Sequence, residues 1–116
     1  MQIQVHSDNH IEGSARLVEW VSASVSSKLD RFDEELTRVI VHLHDDNAGK
    51  AGADDKRCQI ELRTDGAGPV VVSSVAKDWR TALDGALARA VRLVLRVWRR
   101  ATVARRPRQH GFELES

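Results

Sequence analysis

Arg57-Cys58-Gln59-Ile60-Glu61-Leu62-Arg63-Thr64 alternates polar with small or apolar side chains without a break. Period-two alternation marks a strand with one wet face, here with Cys58, Ile60 and Leu62 turned inward and Gln59, Glu61 and Arg63 outward. The turn residues Asp65-Gly66-Ala67-Gly68-Pro69 follow, and Val70 to Val75 resumes as a second strand. Two strands joined this closely predict an antiparallel hairpin.

Upstream of that hairpin, a strand is expected from about Arg38 to His44. Val39, Val41 and Leu43 face one way and Ile40, His42 and His44 the other. The polar, Gly-containing stretch from Asp45 to Asp55 reads as its connection to the hairpin. Gln2 to His6 repeats the strand pattern with Ile3 and Val5 on one face. Between these strands, Val18, Val21, Val25, Leu29 and Phe32 recur at spacings of three or four, which predicts an amphipathic helix from about Ser14 to Arg31. Asp8, Asn9 and Ser14 are its candidate caps. A last helix runs from about Asp78 to Ala101 or beyond, with Pro107 and Gly111 marking its loss.

The order is therefore β-α-β-β-β-α, which predicts an α+β two-layer sandwich. Its four-stranded sheet has two helices packed on one face, and the first strand-helix-strand unit forms a right-handed parallel crossover. Residues 1–101 form the expected domain and 102–116 a basic-to-mixed tail.

At 116 residues the chain suits one domain, and its 41% apolar and 30% charged residues are those of a globular protein. The net charge of +1 conceals a polarity: residues 1–84 carry 10 Lys and Arg against 15 Asp and Glu, whereas 85–116 carry 8 Arg against 2 Glu. Such asymmetry suggests an electrostatic partner. The single Cys58 forms no internal disulfide, no apolar run reaches spanning length, and no signal peptide is seen; the expected setting is the cytoplasm.

The basic half is concentrated on the last helix. At about 100° per residue, Arg89, Arg92, Arg96, Arg99 and Arg100 share a sector of roughly 100°. Leu83, Leu87, Val91, Val94 and Trp98 fall on the far side, free to pack on a sheet. No acid lies between Gly85 and Phe112, so these arginines have no partner one turn away on their own helix. Their mutual repulsion is relieved by a polyanion, and guanidinium suits bidentate phosphate contacts. The plainer reading is a solvated face neutralised from elsewhere in the fold. Aromatic residues are few and not interleaved with the cations, which argues against a base-stacking platform and for a double-helical RNA surface met by shape and charge.

His6, His42 and His44 fall on one sheet face, where a metal is conceivable and plain surface histidines are the simpler reading. The acids between Asp45 and Asp55 fail the calcium-loop template. Cys58 reads as a buried structural thiol. No catalytic or nucleotide-binding signature is present, and no enzyme activity, cofactor or metal is expected.

Asp78-Trp79-Arg80-Thr81-Ala82-Leu83-Asp84 resembles the Asp-x-Tyr-x-Ala-Ile-Asp element of the ribosome hibernation-promoting factor and ribosome-associated inhibitor family, with Arg80 in place of Tyr. That family's basic positions then fall on Arg89, Arg92, Arg96 and Arg100, and Lys28-Leu29-Asp30 is similar to its Lys-Leu-acid element. The resemblance covers about residues 1–100 and is to a divergent branch of the short form, without the second domain through which long-form members pair ribosomes. It implies a factor that occupies the mRNA and tRNA channel of the small ribosomal subunit as a monomer. Such a factor would block translation by occlusion, held by RNA contacts at Lys28, Arg89, Arg92, Arg96, Arg99 and Arg100. Neither a membrane nor a small-molecule substrate is expected. The alternative is a peripheral membrane or protein-partner module that uses the basic amphipathic helix, which needs the apolar side of that helix to be free.

Overall fold

The structure, a computed structural model, describes residues 1–8, 14–45, 55–64 and 68–109, with 98–109 as backbone alone. Strand β1 (Gln2–Ser7) leads to helix α1 (Ser14–Leu29), a short 3-10 turn (Asp30–Phe32), β2 (Leu36–Asp45), β3 (Lys56–Thr64), β4 (Val70–Ala76) and helix α2 (Trp79–Gln109). The sheet order is β1-β2-β3-β4, with β1 parallel to β2 and the other pairs antiparallel. The expected architecture is the observed one.

Register explains the two faces. Val39 pairs with Ile3 and Leu62, Val41 with Val5 and Ile60, and Leu43 with Cys58, so the inward sets of three strands lie side by side. Val21, Val25 and Leu29 of α1 and Leu83, Ala86, Leu87 and Val94 of α2 close over them in one core. Each large aliphatic side chain so buried contributes roughly 1.5–3 kcal/mol.

Three local features depart from the sequence reading. Strand β2 begins at Leu36, because a bulge between Leu36 and Arg38 inserts one residue against β3. The extra residue shifts the alternation, so that Leu36 joins the odd-numbered Val39, Val41 and Leu43 in the core. The bulged Thr37 donates its hydroxyl to the Arg63 carbonyl at 3.1 Å. The Asp8 carboxylate reaches beyond its own segment: it meets His44 Nδ1 at 3.2 Å and accepts the Asp45 N–H at 3.4 Å, tying the end of β1 to β2, while Asn9 lies outside the described residues. Helix α2 continues to Gln109, so that Pro107 falls within its last turn rather than beyond its end.

The outer sheet face is less uniformly polar than expected. Ile40 is nearly covered there, and Val71 and Val75 of β4 are about half exposed. At the other end, Lys56 reaches Asp45 Oδ2 at 3.1 Å and the buried Asp55 at 3.2 Å. Residues 46–54, the middle of the acidic connection, lie outside the described residues.

Candidate nucleic-acid interface

Helix α2 starts where Asp78 can cap it. Its Oδ1 accepts the Thr81 N–H at 2.8 Å and its Oδ2 the Thr81 hydroxyl at 3.1 Å. Those bonds hold the carboxyl below its ordinary pKa, because each favours the charged form. From this cap the helix turns Ala82, Leu83, Ala86, Leu87, Ala90 and Val94 onto the sheet. The apolar side is therefore covered, and the free face that the interfacial-helix alternative needs is absent over these residues. Among the described residues, no helix is long and apolar enough to cross a membrane.

Arg89, Arg92 and Arg96 are exposed on the remaining sector. Arg89 also donates to the backbone carbonyl of Ser73 in β4, which steadies its guanidinium at the rim of the sheet. Arg99 and Arg100 continue the same helical backbone, and their side chains lie outside the described residues, as does that of Trp98.

Lys28 stands exposed in the last turn of α1. It lines a groove of about 510 Å³ between the helices, together with Ser27 and Arg31 on the α1 side and Asp84, Ala88 and Val91 on the α2 side. Arg92 follows Ala88 by one helical turn, so the groove opens beside the arginine stripe. Sequence reading named Lys28 but missed Arg31, whose spacing of three from Lys28 was the available signal. The Arg31 guanidinium lies 4.7 Å from the centre of the Phe32 ring, a cation-π contact.

The remaining sequence candidates sort differently. His6 and His42 are register partners with rings stacked at 5.3 Å, and His42 and His44 stack at 6.3 Å. Among the described residues, no group of three His, Cys, Asp or Glu side chains is arranged to hold a metal ion. Cys58 is buried, and desolvation pushes its thiol pKa up to about 12, which suppresses nucleophilic thiolate.

Comparison with known proteins adds independent findings. The family model for sigma 54 modulation protein / S30EA ribosomal protein matches residues 3–102. Among solved structures, the crystal structure of the Protein Y N-terminal domain from Thermus thermophilus is similar, with a TM-score of 0.64 and 26% identity. The match covers 84% of this chain and 99% of that one. No curated protein sequence matches the chain.

Proposed function

The chain belongs to the sigma 54 modulation protein / S30EA ribosomal protein family of ribosome-associated hibernation factors, and from that premise we propose that it binds ribosomal RNA in the mRNA and tRNA channel of the small subunit. The family is one of ribosome-binding factors and not of enzymes. Ribosome association sets the work of this chain in the cytoplasm.

One observation carries the finer reading. Arg89, Arg92 and Arg96 share the side of α2 turned away from the core, on a helix that carries no acid beyond Asp84. Lys28 adds a cation across the groove, and Arg99 and Arg100 extend the series along the helix. Such a surface grips phosphates, which fix position and orientation. Inhibition then follows by occlusion: a monomer seated where mRNA and tRNA must pass leaves no room for them, and no chemical step is required.

Gradient sedimentation with cell extract tests this. The wild-type chain should travel with small subunits, and Arg92→Glu, Arg96→Glu and Arg100→Glu combined should abolish that while the circular dichroism spectrum stays folded. A folded triple variant that co-sediments like wild type would remove the proposal.

A further inference from the structure

The groove between α1 and α2 is unlike the arginine stripe beside it. Leu87, Ala88 and Val91 give it apolar lining from α2, and Lys28 and Arg31 supply cations from the α1 side. Asp84 supplies a carboxylate from the α2 side. Among the described residues no ion pair joins Asp84 to either cation, so the acid is not part of a clamp between the helices.

A carboxylate next to a phosphate-binding face repels phosphate. It suits a ligand that offers hydrogen-bond donors at one end and negative charge at the other. Of the four RNA bases, guanine alone presents two adjacent donors, N1–H and N2–H₂, matched to the two oxygens of a carboxylate. Cytosine has only its exocyclic amino group beside acceptors, and adenine and uracil lack the adjacent pair. The apolar lining from Leu87, Ala88 and Val91 suits a purine face, and Lys28 and Arg31 offer cations to an attached phosphate. A groove of about 510 Å³ lies within the ~300–1,000 Å³ range of small-ligand sites.

We infer that this groove seats one unpaired guanosine of an RNA strand, with Asp84 reading its Watson-Crick edge and the strand's flanking phosphates lying along Arg89, Arg92 and Arg96. This rests on the RNA-binding reading and adds to it: the stripe supplies affinity without sequence, and the groove supplies a choice of base. Unpaired bases are the part of RNA that proteins can read in this way.

The test uses the full chain and two fluorescent single-stranded RNA heptamers, 5′-UUUGUUU-3′ and 5′-UUUAUUU-3′, followed by anisotropy. The guanosine heptamer should bind about tenfold tighter, and Asp84→Asn should bring the two together while the chain stays folded by circular dichroism. Equal affinities in the wild type, with small-subunit co-sedimentation intact, overturn the groove alone. Loss of co-sedimentation by the wild type overturns the reading beneath it. Free guanosine 5′-monophosphate should compete only weakly; if it binds as tightly as the heptamer, the occupant is a free nucleotide and the RNA-strand assignment falls.

Discussion

Gly85 of α2 lies so close to Ser74 of β4 that a methyl group on Gly85 would sit 2.4 Å from the Ser74 hydroxyl oxygen and 3.1 Å from its Cβ. The hydroxyl can rotate away, but the Cβ cannot, so a side chain at 85 needs helix and strand to part by a few tenths of an ångström. Alanine normally gains up to ~1 kcal/mol over glycine inside a helix. Here Gly85→Ala should instead lower stability by about 1 kcal/mol, because the overpacking outweighs the propensity gain. A urea-unfolding cycle with Ser74→Gly should show coupling, the Gly85→Ala penalty shrinking once the Ser74 Cβ and hydroxyl are both gone. A Gly85→Ala chain more stable than wild type would mean that the contact is looser than described.

RNA affinity should fall steeply with salt. If five arginines each neutralise one phosphate, log K should fall against log salt with a slope of about −3.5 to −4.5. Combining Arg92→Glu, Arg96→Glu and Arg100→Glu should make that slope shallower by about 2–3, the amount that three lost phosphate contacts carry. A slope unchanged by the charge reversals would place the phosphates elsewhere.

Cys58 should resist alkylation. With its thiol pKa near 12 and its side chain buried, iodoacetamide at pH 8 should leave the folded chain unmodified and label it at once in denaturant. Fast labelling of the folded chain would contradict the packing of β3 against α2.

The Asp78 cap should make α2 acid-sensitive. Its folded-state pKa lies below the ordinary value of 3.8, so its contribution is complete above that value and is lost as pH falls through the lower, folded one. Asp78→Ala should therefore lower the thermal midpoint at pH 7, with the difference from wild type fading in strong acid. Asp78→Asn should retain most of the cap.

Lys56 runs the opposite way. Hydrogen bonds to Asp45 and Asp55 raise its pKa above 10.5. Its stabilisation is thus full below the unfolded value and disappears as pH rises through the higher, folded one. Lys56→Gln should be less stable than wild type from pH 6 to 9, with the gap closing in stronger alkali; a gap independent of pH would assign the loss to packing.

The strands and helices were legible because their apolar spacings are regular: Cys58, Ile60 and Leu62 at every second residue, and Val21, Val25 and Leu29 at every fourth. The start of β2 was not, because the bulge at Thr37 shifts Leu36 out of the alternation and only the register with β3 reveals it. The bonds of Asp8 to His44 and Asp45 were not legible either, because those partners are distant in sequence. For the interface, the arginine stripe was written in one helical period. The groove was not, since Lys28 and Arg31 meet Asp84 and Ala88 only after the two helices pack side by side.

The strands lie in the sheet in the order in which they occur in the chain, which leaves β1 and β4 as its two margins. β4, with no charged residue from Val70 to Ala76, is the kind of margin onto which a strand of another molecule can add. Arg89 occupies one of its carbonyls, that of Ser73. That bond ties helix α2 to the outermost strand, so the guanidinium proposed to meet RNA also fastens the helix to the sheet's margin.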